Sequence, residues 1–348
     1  MLKMLRIILF PISVLYGVVM ALRNMFFFKG IFKAESFAVP VISIGNITVG
    51  GTGKTPHTEY LINLLKEKYA IAILSRGYGR KTKGFVEVKG DSSPEECGDE
   101  PCQMKQKFPD QTVIVDENRR EGIHRILQSY KSEVIVLDDA YQHRWVKPGL
   151  SLLLVDYTRP IYKDFIMPTG ELREFPAGSQ RADVVIVTKC PATISADEKA
   201  DFQRKLKLGE GQQLFFSTFV YAGAKALFSD KEKESFEGMD VLLLTGIANP
   251  KPLKVHLEQQ GARVTSFSFP DHYQFSAKDM DAVLSRFEAL PPEKRCIVTT
   301  EKDSVRLKSG MLVPQLIKDS IYAIPIAVEL LEDENELHQI IENYVTKN

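Results

Sequence analysis

The chain lacks an excess of charge of either sign: 45 lysines and arginines face 45 aspartates and glutamates over 348 residues. That balance supplies no broad field for collecting a nucleic-acid backbone, so any anion has to be met by a local basic cluster. Cysteines are few. Cys97, Cys102, Cys190 and Cys296 form no C-x-x-C pair, which argues against a zinc knuckle or a disulfide framework and leaves reduced thiols in a cytoplasmic protein as the expectation. Repeats and low-complexity stretches are missing, and the length suits two ordinary domains.

A hydrophobic run long enough to cross a bilayer is missing as well. Ile7 to Leu22 carries no charge, but it is shorter than the ~20 residues a spanning helix needs and contains Pro11 and Gly17. No small-residue cleavage site follows, as a signal peptide would require. Lys3 and Arg6 precede the run, and Arg23, Lys29 and Lys33 follow it. An apolar helix lying in the membrane interface is the reading favoured by those flanks. A helix buried in the protein's own core and a single span stay open beside it.

What is present begins with Val39 to Lys66. Val41 to Ile44 form a β-branched strand, Gly45-Asn46 ends it, and Tyr60, Leu61, Leu64 and Leu65 return at helical spacing. Between them lie Thr48, Val49, Gly50, Gly51, Thr52, Gly53, Lys54 and Thr55, with Pro56 suited to a first helical turn. The glycines let backbone N–H groups turn inward around a polyphosphate, and the helix N-terminus adds positive partial charge. Lys54 can reach the terminal phosphates and the Thr55 hydroxyl can ligate Mg²⁺. Thr48 stands where the general G-x-x-x-x-G-K-[ST] pattern has its first glycine.

Further signals follow in order. Ala70 to Leu74 is a second buried strand, ending in a loop with Arg76 and Arg80, each a phosphate contact or a solvated charge. Asp99 and Glu100 are expected in a loop ahead of a helix from Cys102 to Phe108, where local chemistry reads them as caps. Arg119 and Arg120 follow the strand Thr112 to Val115, as phosphate ligands or exposed charges. Val134 to Leu137 ends in Asp138 and Asp139, a Walker B arrangement that delivers carboxylates to a magnesium ion beside the P-loop. Strands at Leu152 to Val155 and Val184 to Val187 continue the pattern. Lys189 lacks the guanine-selecting aspartate of GTPases, so adenine is the expected base. Arg173, flanked by carboxylates, binds substrate or pairs locally. Leu214 to Phe219 is a strand placed at the exit from the first domain, and Ile321 to Val328 is read as one last strand before a helix from Glu334 to Val345. The expected fold is α/β: a P-loop NTPase-like, doubly wound, mostly parallel sheet over 31–215, a smaller α/β domain over 216–348, and the membrane-interface helix over 1–30.

Taken together, SIGNITVGGTGKTP (43–56), SRGYGR (75–80), GDEP (98–101), LDDAYQHR (137–144), GELRE (170–174), GIANP (246–250), FPDH (269–272) and TTEKD (299–303) make the chain resemble the tetraacyldisaccharide 4′-kinase family. The resemblance runs nearly end to end. The family tolerates a non-glycine at the position of Thr48; it often has a second histidine where this chain has Tyr273. The resemblance implies ATP- and Mg²⁺-dependent transfer of a phosphoryl group to the 4′-hydroxyl of a tetraacyl glucosamine disaccharide 1-phosphate, at the cytoplasmic face of the inner membrane. A monomer is expected, and the balanced charge speaks against nucleic acid as a partner. The resemblance also implies an Asp99–His272 pair for the hydroxyl proton, Arg119 and Arg173 at the substrate phosphate, and Glu100, Gln142 and Glu174 in the site wall. On its own residues, His272 reads as a turn histidine. Two other classes share the P-loop and Asp138: a GTPase-like switch or metal-insertion chaperone, and a membrane-bound structural protein with a vestigial nucleotide fold.

Overall fold

The computed structural model describes residues 8–309 and 313–347. Lys3, Arg6 and Ile7 of the apolar N-terminal segment lie outside them.

Strands β1 (Val41–Gly45), β2 (Ile71–Ser75), β3 (Val86–Glu87), β4 (Thr112–Val115), β5 (Val134–Asp138), β6 (Leu150–Asp156), β7 (Val184–Thr188) and β8 (Gln213–Tyr221) are followed by β9 (Ala224–Ala226), β10 (Glu232–Lys233), β11 (Asp240–Thr245), β12 (Arg263–Ser268), β13 (Arg295–Thr300), β14 (Ile321–Ile324) and β15 (Ile326–Leu330). The main helices are α1 (Phe10–Phe28), α2 (Lys54–Leu65), α3 (Asp99–Lys107), α4 (Arg119–Ser129), α5 (Ala196–Leu206), α6 (Lys251–Gln259), α7 (Ala277–Glu288), α8 (Glu301–Ser309) and α9 (Glu334–Lys347).

A nine-stranded sheet runs β15-β8-β7-β6-β1-β5-β2-β4-β3, parallel except at its two ends. β1, β2, β5, β6 and β7 are buried along their whole length, as continuous Val/Ile/Leu runs demand when both faces are covered. Leu61, Ile62 and Leu65 of α2, Met104 of α3 and Leu337, Ile341 and Val345 of α9 fill one face. Ile123 and Ile126 of α4, then Phe202 and Leu206 of α5, fill the other. A six-stranded sheet, β10-β9-β14-β13-β11-β12, forms the second lobe, with Leu253 and Leu257 of α6 on one side and Met280, Val283 and Phe287 of α7 on the other.

Three expectations about the chain's path need correction. The strand expected from Ile321 to Val328 is two strands in two sheets. Pro325 breaks it, because a proline has no N–H for the ladder; its carbonyl instead accepts from Ala222 N at 3.0 Å, where the outgoing chain crosses. The strand near 214–219 does not leave the first lobe but pairs with β7 inside the large sheet. Because β15 and α9 return to that sheet and its core, the second lobe is an insertion carrying β9 to β14, not the whole of 216–348. Two crossing segments, 221–222 and 325, therefore join the lobes.

α1 continues past Leu22 to Phe28 and lies on the first lobe with little of itself covered. Ser13, Gly17 and Phe27 are buried, while Ile12, Leu15, Val18, Val19 and Leu22 face outward. Of the helices in the described residues, it alone is long and apolar enough to cross a membrane by length and composition.

Candidate active site

β1 delivers the phosphate loop at its carboxyl end, beside the ends of β5 and β6, the usual ligand edge of an open α/β sheet. Gly53 holds φ +90°, and a Cβ there would fall 2.4 Å from the Phe219 ring of β8, so only glycine fits. Asn46 sits beneath the loop and donates to Thr52 Oγ1 at 2.8 Å. His57 Nδ1 donates to the Gly53 carbonyl at 2.8 Å and its Nε2 meets Ser217 at 3.0 Å; burial pushes this imidazole down to about 4, so it is neutral. Lys189 is spent on the Gly51 carbonyl and, at 2.6 Å, on Asp156. Val49 N–H goes to the Glu171 carbonyl at 2.7 Å and Thr52 N–H to the Gly50 carbonyl at 3.1 Å. The N–H groups of Gly51, Gly53, Lys54 and Thr55 take no acceptor among the described residues, which leaves a nest of donors at the mouth of α2.

The Walker B pair lies across that mouth. Asp138 is 6% exposed and accepts from Thr58 Oγ1 at 3.2 Å. Burial pushes its carboxyl up to about 6; the Asp139 charge adds to this and Lys54 opposes it. Asp139, at φ 50°, turns its carboxylate toward Lys54 Nζ at 3.6 Å and Arg173 Nη1 at 3.2 Å. Arg173 also reaches Gln142 Oε1 at 3.2 Å, and Gln142 Nε2 donates to the Asn46 carbonyl at 2.7 Å, so the P-loop, Asp139, Gln142 and Arg173 form one network. Arg119 is buried at the start of α4 and donates to the Asp139 carbonyl at 3.3 Å; burial pulls it down to about 10, with Asp139 opposing and Arg76 adding. Arg120 diverges to the surface, 3.9 Å from Glu35.

Some residues read from the sequence stand elsewhere. Arg80 is no phosphate contact: its guanidinium is buried and tied to Glu117 at 2.5 Å and the Gly84 carbonyl at 2.7 Å. Arg76 stays exposed at the end of β2. Glu174 is 1% exposed and lies behind the surface of the site, held by Arg181 at 2.8 and 3.0 Å, Asn24 at 2.8 Å and Gln142 at 3.1 Å. Burial alone would raise Glu174, but the Arg181 contacts outweigh it and hold it below the usual carboxylate range.

Asp99 and Glu100 are not in a loop; they open α3. Pro101 is tolerated within a first turn, so it does not mark the boundary its identity suggests. Gly98, at φ +92°, makes the turn into the helix, and a Cβ there would sit 2.8 Å from the Tyr78 carbonyl oxygen. Asp99 is buried, and its Oδ2 lies 2.9 Å from Nδ1 of His272, which comes from the second lobe. Burial alone would raise Asp99; the His272 hydrogen bond, then the Arg306 charge, outweigh it and hold the carboxyl below its usual range. His272 is correspondingly raised, first by the Asp99 hydrogen bond. In the neutral ring Nδ1 donates to Asp99 and Nε2 accepts from Lys302 Nζ at 3.1 Å, an ammonium that opposes the rise. Lys302 also pairs with Glu100 at 3.2 Å. Sequence reasoning left Asn46, His57, Lys302 and Arg306 without roles. Asn46 and Lys302 sit inside the stretches SIGN and TTEKD, which was the available signal; His57 and Arg306 carried none.

With this geometry established, comparison places the chain among known proteins. A family model described as tetraacyldisaccharide-1-P 4′-kinase matches residues 5–346. A tetraacyldisaccharide 4′-kinase of Phocaeicola vulgatus is 48% identical over 98% of this chain and 95% of its own length. The corresponding protein of Flavobacterium johnsoniae is 45% identical over 99% of each chain. A solved structure of LpxK from Aquifex aeolicus in complex with ATP superposes with a TM-score of 0.78 at 31% identity, covering 98% of this chain and 99% of that one.

Proposed function

The chain belongs to the tetraacyldisaccharide-1-P 4′-kinase family, so it is a kinase of lipid A biosynthesis, and we propose how its residues transfer the γ-phosphoryl of ATP to the 4′-hydroxyl of a tetraacyl glucosamine disaccharide 1-phosphate. The free N–H groups of Gly51, Gly53, Lys54 and Thr55 receive the phosphates, and the Lys54 ammonium follows the charge that builds on the transferred group. Thr55, Asp138 and Asp139 would hold Mg²⁺, which supplies charge neutralisation on the phosphate oxygens when bound. The fit is good: the donors are hard oxygens, and Asp138 is a buried carboxylate beside a second one, an arrangement that calls for a cation. Among the described residues no cluster of three or more His, Cys, Asp or Glu forms a protein-only metal site, in keeping with an ion shared with phosphates.

A sugar hydroxyl is a weak nucleophile at neutral pH, so a base must lie within hydrogen-bond reach. Asp99 takes that proton, oriented by His272. The observation that carries this reading is the 2.9 Å Asp99–His272 contact across the lobes: the pair exists only when the lobes are closed, which restrains hydrolysis of ATP without acceptor. Arg119, Arg173 and Arg76 face substrate phosphate, with Glu100 and Gln142 as polar wall and Glu174 as the buried support of Gln142. α1 rests on the cytoplasmic surface of the inner membrane through its outward apolar face. Its other face is bound to the site, through Tyr16 to the Arg173 carbonyl at 3.0 Å and Arg23 to the Gln142 carbonyl at 2.8 Å, so a lipid-borne sugar meets the phosphate loop at a fixed height above the bilayer. The enzyme acts as a monomer.

The decisive experiment follows labelled γ-phosphate from ATP onto the disaccharide 1-phosphate in detergent micelles and locates it in the product. Label at the 4′ carbon, dependent on Mg²⁺, is expected. Label elsewhere, or release as inorganic phosphate alone, would overturn the assignment.

A further inference from the structure

Two conspicuous stretches of the second lobe, GIANP at 246–250 and TTEKD at 299–303, have no place in the mechanism above. They converge on Arg306. Thr300 Oγ1 donates to Asp303 at 2.7 Å, and Gly246 N–H donates to both Asp303 oxygens at 3.1 Å. Asp303 in turn grips the Arg306 guanidinium, whose Nη2 also donates to the Gly246 carbonyl at 3.1 Å. The same carbonyl accepts the His272 N–H at 3.2 Å. Gly246, His272, Asp303 and Arg306 are therefore one preorganised unit.

That unit presents two groups to Asp99. His272 Nδ1 lies 2.9 Å and Arg306 Nη1 3.4 Å from the same oxygen, Oδ2. The Arg306 side chain is 0% exposed, and its Nη1 and Nε make no hydrogen bond among the described residues. Asp99 Oδ1 likewise accepts none. An Arg buried with donors unspent is costly, and truncating the partner of a buried charge more so. We infer that Arg306 is a positioning residue for Asp99: it arrives with the second lobe, pins Oδ2, keeps the carboxylate ionised, and leaves Oδ1 as the oxygen that takes the acceptor proton. Around Asp99 the other charged or titratable groups are His272 and Lys302 from the second lobe and Glu100 and Cys102 from α3, with Asp271 and Asp303 behind.

The inference rests on Asp99 being the base, and the test separates the two. kcat is measured against pH for the full-length enzyme and for R306Q, R306K, D303N, D99A and D99A/R306Q, with ATP binding as the control for an intact first lobe. R306Q is expected to lower kcat about 10–100-fold, leave ATP affinity unchanged, and move the acid limb upward by about one pH unit. R306K should fall between R306Q and wild type. D303N leaves Asp99 as the carboxylate Arg306 faces, so its acid limb should move down, a readout that stands even where R306Q does not fold. In the D99A background R306Q should cost less than about twofold, as expected of residues acting as one unit. An unmoved limb in R306Q, an unmoved or raised limb in D303N, or a full additional loss in the double variant would overturn the role of Arg306. Activity surviving D99A would instead overturn the base itself.

Discussion

As the proposed base, Asp99 acts in its ionised form, which the His272 hydrogen bond and the Arg306 charge favour against the opposing effect of burial. Replacing it by alanine should lower kcat ~10²–10⁴-fold, the usual worth of a general base, while equilibrium ATP binding is unchanged; loss of both together would point to folding. Its pair with His272 has a defined pH window. Asp99 is depressed and His272 raised, so the stabilisation is present above the ordinary carboxylate range and is lost as pH rises through the raised imidazole value. Two other histidines act oppositely. Burial pushes His57 and His143 down to about 4, so the unfolded chain binds more protons below ~6.5. Stability should fall as the pH drops from 7 to 5, on the order of 1–2 kcal/mol for each. Urea titrations at the two pH values measure it, and H57Q should flatten the slope.

At the scale of the element, α1 is the test case. Its sequence spacing left three environments open, because an apolar helix looks the same in a core, in a bilayer or at an interface. Its outward face settles against nothing among the described residues: Leu15 is 66% and Val19 55% exposed. L15E/V19E should reduce co-sedimentation with anionic lipid vesicles and slow transfer to micellar substrate at least several-fold, with ATP binding unaffected. Unchanged sedimentation would remove the interface role. Other elements were legible to within a residue or two where an apolar, β-branched run was unbroken, as for β5 and β7. α8 was not, since EKDSVRLKS is mostly polar and its helix is stabilised by packing against α3 and β13, not by an apolar stripe of its own.

At the scale of the molecule, the lobes are joined by more than the Asp99–His272 pair. Glu59, on the phosphate-loop helix, is 3% exposed and accepts from Lys107 at 2.6 Å and Gln103 at 2.8 Å. Lys107 also bonds Glu301 of the second lobe at 3.1 Å. α2, α3 and α8 are thus tied at one ammonium. K107A leaves a buried carboxylate without its cation and should destabilise the fold on the order of 3 kcal/mol, read from the denaturant midpoint. K107A/E59Q should recover most of that loss, since the remaining amide needs hydrogen bonds but no counter-charge. Equal loss in the single and double variants would show that the pair contributes little.

The amino-acid sequence by itself determined the alternating apolar strands, the glycine loop before α2 and the carboxylates after β5. Each is written in neighbouring residues: side-chain period and turn chemistry act over a few positions, and a strand end carries its own loop. Only the tertiary structure decided which lobe β15 and α9 belong to, that Arg80 and Glu174 are spent on internal partners, and that Arg306 faces Asp99. Asp99 and His272 lie 173 residues apart. No local pattern encodes a contact of that separation; it exists because two sheets, joined by two crossing segments, bring their loop edges together.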